Sequence, residues 1–232
     1  MWLRNQRFQR LIGGGLLERA SIGIVARFEL LGLGGHKDSS IIRLIRRVRR
    51  ERRWLLTANE AFTVYSLAAA QSKHDAEMAE VGTYQGGSSK MICEAKGDRP
   101  LHLFDTFEGL PPAATQDGNV HREHQYSCSL ESVRSYLSGY PNVSFYKGRF
   151  PGTSGPIENR RFSFAHFDVD LYESTLGCLK FFYPRMIPGG IMLSHDYSIL
   201  SGVREAFSEF LRDKPETLVE LPTTQCMVVK LG

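Results

Sequence analysis

From residue 76 onward the chain alternates short apolar runs with helical patterns, and this alternation limits the fold more than any other feature. Ala76 to Val81, Leu101 to Phe104, Asn142 to Tyr146, Phe162 to Phe167 and Gly190 to Leu193 each have the length and texture of a buried strand. Helical spacing predicts helices from about Gly87 to Ala95, Leu130 to Leu137, Ser174 to Tyr183 and Val203 to Phe210. Strands this apolar must be covered on both faces, and successive parallel strands need a crossover, usually a helix. An α/β fold with a doubly wound, mainly parallel sheet is therefore expected. Two final runs, Thr217 to Leu221 and Cys226 to Leu231, are separated by Pro222-Thr223-Thr224 and predict an antiparallel hairpin.

The first part of the chain has a different texture. Gly13-Gly14-Gly15 and Gly32-x-Gly34-Gly35 punctuate helices expected from Leu16 to Leu31 and from Ser39 to about Leu56, and a third is expected from Asn59 to Gln71. The expected division is a basic helical extension over residues 1–56 and an α/β domain over residues 57–232. Residues 1–53 hold thirteen Lys and Arg against four Asp and Glu, although the whole chain carries only +4. Seven of the eleven residues from Arg43 to Arg53 are arginine. Such a patch suits a membrane surface or an acidic partner. Ile41, Ile45, Val48 and Leu55 nevertheless recur at helical spacing, so the arginines between them are expected to form mainly a solvated helix face, and nucleic acid is not the expected partner. Glu18, Arg19, Arg27 and Glu29 interrupt the most apolar stretch, so no membrane span is expected. The run from Leu11 to Leu17 also lacks the cleavage pattern of a secretory leader. Cys93, Cys128, Cys178 and Cys226 are too widely spaced for a zinc site or a dense disulfide framework, which fits reduced thiols in a cytoplasmic protein.

Ligands of doubly wound sheets bind beyond the carboxyl ends of the strands, where strand order reverses. The first strand is followed by Gly82 and Gly86-Gly87, which permit a tight turn and close backbone approach, but the spacing is not that of a dinucleotide-binding loop. Glu80 near that strand end suits a cationic ligand. Asp105 ends the second strand, where a carboxylate usually meets a ribose diol. The fourth and fifth strands are followed by Asp168, Asp170, His195 and Asp196. Three carboxylates crowded at one cleft are costly unless a cation joins them.

These segments resemble the macrocin O-methyltransferase (TylF-type) family of class I S-adenosylmethionine-dependent methyltransferases. The resemblance rests on EVGTYQGGSS at Glu80–Ser89, LFDTFEGLP at Leu103–Pro111, KGRFPGT at Lys147–Thr153, HFDVDLYEST at His166–Thr175 and PGGIMLSHDY at Pro188–Tyr197, followed by GVREAFSEFL at Gly202–Leu211. It covers the chain from about Leu56 onward and implies a seven-stranded Rossmann-like sheet. It also implies S-adenosylmethionine as methyl donor, a divalent metal (usually magnesium), and a sugar hydroxyl on a metabolite or glycan as acceptor. Carried over residue by residue, it implies that Glu80 and Gly82 belong to the methionine-binding turn. Asp105 meets the ribose, and Gly148, Arg149 and Phe150 flank the adenine. Tyr84, Ser88, Thr106, Phe107 and Asp168 join the cofactor-binding set. Asp168 and Asp196 are implied as metal ligands, Asp168 and Asp170 as catalytic residues, and Asp170 as the general base. The family usually has a second aspartate where this chain has His195. Imidazole suits manganese, iron or zinc better than magnesium, so either His195 joins the metal ligands and the metal changes, or it stands beside them in another role.

Methyl transfer from a sulfonium is an in-line displacement, so alignment supplies much of the catalysis. A metal near the acceptor hydroxyl and a base such as Asp170 would ease loss of its proton. The long polar stretch 111–128 reads as a lid, with His121 and His124 expected to be mainly solvated. A catechol-type O-methyltransferase and a non-catalytic adenosine-binding module are the alternatives, and a nicotinamide oxidoreductase fits least. A homo-oligomer is expected.

Overall fold

The computed structural model describes residues 2–13, 16–118 and 120–232. Gly14 and Gly15 of the first glycine run, and Asn119 of the polar stretch, lie outside the described residues. Four helices come first: α1 (Gln6–Ile12), α2 (Leu16–Gly34), α3 (Ser39–Glu51) and α4 (Ala58–Gln71). The alternating part follows as β1 (Glu77–Val81), α5 (Gly87–Ala95), β2 (Leu101–Asp105), α6 (Leu130–Tyr136), β3 (Val143–Lys147), β4 (Phe162–Phe167), α7 (Tyr172–Phe182), β5 (Met186–Ser194) and α8 (Ser201–Leu211). A hairpin of β6 (Leu218–Glu220) and β7 (Cys226–Val229) closes it.

The seven strands form one sheet in the order β3-β2-β1-β4-β5-β7-β6. The first five are parallel, whereas β7 runs antiparallel to both β5 and β6, as the sequence predicts. Strand residues alternate between two covering layers. Met78, Leu103, Phe164 and Leu193 pack toward α2 to α6, while Ala79, Phe104, Ala165 and Met192 pack toward α7 and α8. Order reverses between β1 and β4, which opens a crevice above their carboxyl ends.

Helix α3 buries Ile42, Leu44, Ile45 and Val48, while Ile41 and Leu55 are only half-buried. It stops at Glu51 rather than near Leu56, because Arg52 turns extended (φ −135°, ψ 151°) and Thr57 opens α4 with a capping box to Glu60. Part of the arginine run is tied to the protein itself. Arg47 pairs with Glu94 at 3.0 Å, Arg49 donates to the Leu56 carbonyl at 2.8 Å, and Arg52 donates to Ser132 and lies over the Tyr136 ring. Helix α1 has no counterpart in the sequence reading. It is short, capped by Asn5, and fastened through Gln9 to the Ile199 carbonyl, a contact 190 positions away. Among the described residues, no helix is long and apolar enough to cross a membrane. The four cysteines are free, and burial pushes the Cys93 thiol up to about 12.

Candidate active site

The crevice holds a cavity of about 570 Å³ walled by the turns after β1, β2, β4 and β5, with α1 and α2 across its mouth. Gly82 turns the chain after β1 at φ +88°, and Gly86 opens α5 at φ +81°. Gly82 and Gly87 both answer to protein packing. A Cβ on Gly82 would stand 1.8 Å from the Asp168 carbonyl oxygen, and one on Gly87 would stand 2.8 Å from the Trp54 ring. Asp105 Oδ2 accepts from Tyr84 N–H and Oδ1 from Phe107 N–H, both at 2.7 Å. These bonds aim the carboxylate at the cavity and leave lone pairs for a ligand diol. Burial pushes its pKa above the usual carboxylate range, against those hydrogen bonds.

Across the crevice, Asp168 N–H donates to the Val81 carbonyl at 2.9 Å, which sets the end of β4 against that of β1. Asp170 and Asp196 occupy the left-handed region at φ 57° and 60°. Such strain in non-glycine residues collects at functional sites. The backbone from Asp168 to Asp170 is not extended: the two carboxylates reach the same cavity through a tight turn in which Leu171 N–H donates to the Val169 carbonyl. Asp170 also does not cap the following helix. The Tyr172 N–H at the start of α7 donates instead to Asp117 Oδ1 at 2.7 Å.

His195 lies at the centre of the carboxylates. Its Nδ1 is 3.3 Å from Asp168 Oδ1 and 3.1 Å from Asp196 Oδ2, and its Nε2 is 3.3 Å from Glu60 Oε2. Burial would lower the imidazole pKa, but Asp196, Asp168 and Glu60 hold it well above the usual histidine range. Burial would raise Asp168, yet His195 keeps it below the ordinary value. Asp170 is pushed well up by burial and then by Asp196 and Asp168. The cluster thus holds one carboxyl that ionises readily beside one that resists it.

Gly82, Tyr84, Ser88, Asp105, Thr106, Gly148, Arg149, Phe150, Asp168, Asp170, His195 and Asp196 line this one cavity. Glu80 and Phe107 do not. Strand alternation turns Glu80 into the α5 layer, where it is fully buried, accepts from Ser89 Oγ and lies 2.9 Å from His166 Nδ1, so it has no free face for a cationic ligand. Phe107 packs into the core and contributes only its N–H to Asp105. His121 corrects another expectation. The residue is half-buried and lines the cavity, its two ring nitrogens are buried with neither hydrogen-bonded, and burial lowers its pKa, while His124 is exposed as expected. The 111–128 stretch has no strand among its described residues and is fastened by Asp117 and by Ser201 Oγ, which donates to the Gln116 carbonyl at 3.0 Å. Glu60, Trp54 and Thr224 are wall residues that the sequence does not point to as part of a site. Of these, only Glu60 left a local trace, in the Thr57-x-x-Glu60 spacing of a capping box.

The profile of the macrocin-O-methyltransferase (TylF) family matches residues 65–224. A Streptomyces olivaceus protein named 8-demethyl-8-(2,3-dimethoxy-alpha-L-rhamnosyl)-tetracenomycin-C 4'-O-methyltransferase is 32% identical over 150 residues, covering 58% of this chain and 57% of the relative. Mycinamicin III 3''-O-methyltransferase of Micromonospora griseorubida is 31% identical over 156 residues, covering 60% of this chain and 61% of the relative. The match therefore spans less than two thirds of either relative's length. Among solved structures, the O-methyltransferase NovP superposes with a TM-score of 0.64 at 21% identity over 77% of this chain and 82% of its own. A calicheamicin methyltransferase superposes with a TM-score of 0.67 at 17% identity over 88% of this chain and 91% of its own. These likenesses establish a shared Rossmann-like fold. Because the family profile runs from within α4 through both halves of the crevice to the loop before β7, the chain belongs to the macrocin O-methyltransferase (TylF) family.

Proposed function

We propose that this protein transfers a methyl group from S-adenosylmethionine to a hydroxyl on a sugar of a glycosylated metabolite or glycan, with a divalent metal ion beside the acceptor. One observation carries the reading: Asp105 and the cluster of Asp168, Asp170, His195 and Asp196 face each other across a single cavity at the reversal of strand order. The names of the two relatives, both O-methyltransferases and one naming a rhamnosyl group, support the acceptor class.

In this reading Asp105 accepts hydrogen bonds from the ribose hydroxyls. The Gly82 to Ser88 turn adjoins the methionine end, and Gly148, Arg149 and Phe150 adjoin the adenine. Arg149 is itself held by Glu173 at 2.6 Å. The methyl carbon leaves sulfur, which keeps the bonding electron pair, and joins the acceptor oxygen as Asp170 takes that oxygen's proton. Asp168, His195 and Asp196 each offer one ligand atom, all within 4.8 Å of one another, and the buried His195 Nδ1 has no hydrogen-bond partner. The two carboxylates suit magnesium, while the imidazole nitrogen suits manganese better. A divalent ion bound there would polarise the acceptor hydroxyl and offset the carboxylate charge. Leu3, Phe8, Ile22 and Val25 form an apolar wall at the mouth, suited to the non-sugar part of an acceptor. We retain residues 1–56 as an extension that closes the chamber over domain 57–232. The free cysteines fit a reducing cytoplasm, and the exposed Arg43, Arg46 and Arg50 fit an acidic partner.

The test is to incubate the protein with methyl-labelled S-adenosylmethionine and a panel of glycosylated and catecholic acceptors, with and without chelator. A methyl ether on a sugar hydroxyl, lost in chelator while cofactor affinity persists, is expected. Transfer to catechols alone would overturn the acceptor class. Full turnover in excess chelator, with no metal found by mass spectrometry, would overturn the metal.

A further inference from the structure

We infer that Glu60 is a positioning residue that fixes the His195 ring with Nδ1 turned toward the metal, so that the centre takes an imidazole-accepting ion such as Mn²⁺ ahead of Mg²⁺. The inference rests on the metal reading above.

Glu60 lies in the first turn of α4 and is only 2% exposed. A capping glutamate can do its work at the surface, yet this one is buried with both oxygens engaged. Its Oε2 accepts from Thr57 N–H at 2.8 Å, completing the capping box. Its Oε1 accepts from Thr224 N–H at 3.2 Å and Thr224 Oγ–H at 2.7 Å, which ties α4 to the turn before β7. The same carboxylate stands 3.3 Å from His195 Nε2. A buried carboxylate is tolerated when every neighbour donates to it, so the Nε2 proton is directed at Glu60.

That turns Nδ1 inward, toward Asp168 and Asp196. His195 is 8% exposed, and Nδ1 has no hydrogen-bond partner although Asp168 Oδ1 and Asp196 Oδ2 lie within 3.3 Å. With Nε2 held by Glu60, Nδ1 is the nitrogen that faces the carboxylate pair, and a divalent ion bound among the three would take the place of the Nδ1 proton. Glu60, His195 and that cation would then form the carboxylate–histidine–metal arrangement in which the outer carboxylate orients the ring and strengthens it as a ligand. An imidazole nitrogen among oxygen ligands favours Mn²⁺ over Mg²⁺, which binds oxygen almost exclusively.

The test uses the full chain stripped with chelator and titrated with Mn²⁺, read by electron paramagnetic resonance, with S-adenosylhomocysteine affinity as the check on folding. The wild-type protein should show coupling of bound Mn²⁺ to an imidazole nitrogen and should retain Mn²⁺ against excess Mg²⁺. Glu60→Ala should lose about 10- to 100-fold in Mn²⁺ affinity with S-adenosylhomocysteine binding intact. Glu60→Gln keeps an acceptor oxygen for the ring and should recover most of the loss. His195→Asp should erase the nitrogen coupling and shift preference toward Mg²⁺, which decides the question even if Glu60→Ala does not fold. Bound Mn²⁺ without nitrogen coupling, or unchanged Mn²⁺ affinity in a folded Glu60→Ala, would overturn the inference while sparing the metal reading. Failure of the wild-type protein to bind either ion would overturn both.

Discussion

The carbonyl oxygen of Asp168 fills the space where a side chain on Gly82 would begin, 1.8 Å from the position of a Cβ. Two backbone bonds of 2.9 Å secure this approach, from Asp168 N–H to the Val81 carbonyl and from Gly82 N–H to the Phe104 carbonyl. Three strand ends are thereby set in register, and the Asp105 side of the cavity is fixed relative to the carboxylate cluster. Gly82→Ala must displace that carbonyl and also hold φ +88°, a conformation that alone costs a non-glycine residue about 1–3 kcal/mol. A large fall in melting temperature together with loss of S-adenosylhomocysteine binding is expected. An alanine variant that melts and binds like its parent would contradict this coupling.

Asp105 presents its carboxylate on two backbone N–H groups, and a ribose diol would complete the set. A charge-assisted hydrogen bond contributes about 1.5–3 kcal/mol, so Asp105→Ala should weaken S-adenosylmethionine and S-adenosylhomocysteine by roughly 10- to 100-fold. Calorimetry on both ligands checks this. Equal affinities in the two proteins would remove Asp105 from the ribose.

Asp170 is the proposed base, and its surroundings oppose ionisation: burial first, then Asp196 and Asp168. A base works in its ionised form, so turnover should rise with pH as this raised carboxyl titrates. Asp170→Asn keeps the volume and removes the basicity. Turnover should fall by about 100-fold or more and the rising limb should flatten, with cofactor affinity unchanged. Because Asp117, not Asp170, serves the start of α7, little loss of helix stability is expected. Near-parental turnover on a methylated acceptor would contradict the assignment.

Far from the cavity, Glu216 ties Lys230, just after β7, to Tyr183, just after α7. Lys230 Nζ and Tyr183 Oη each lie 2.6 Å from its carboxylate. Burial would raise its pKa, but these partners pull it from 4.5 down to about 2. A carboxyl lowered by folding contributes stability above its unfolded pKa and loses that contribution as pH falls toward the folded value. The contribution should therefore be complete above about pH 5 and fade between about pH 4.5 and 2. Glu216→Gln should cost about 2 kcal/mol near neutral pH and reduce the acid sensitivity of denaturant midpoints. Parallel stability–pH curves for the two proteins would contradict it.

The sheet was legible because fully apolar strands separated by helical spacing have few other solutions, and strand alternation is local. Asp105, Asp168, His195 and Asp196 were legible because strand ends in such a sheet converge on one crevice. Glu80 was misread for lack of a face: one residue of strand alternation separates a cavity wall from the α5 layer, and the end-of-strand rule does not say which side a residue takes. His121 was misread because a polar loop looks solvated until Asp117 and Ser201 fasten it over the cavity. Glu60 and Trp54 come from the segment before the alternating part, and only tertiary packing brings them to the cavity wall. The Thr57-x-x-Glu60 spacing announced a helix start but could not announce that the same carboxylate meets His195.

The central claim is that the crevice between β1 and β4 binds S-adenosylmethionine, and titration calorimetry on the full chain tests it most directly. Saturable binding of both S-adenosylmethionine and S-adenosylhomocysteine, weakened by Asp105→Ala, and no heat from NAD are expected. Absence of heat with either sulfur compound, alongside tight binding of NAD, would contradict it.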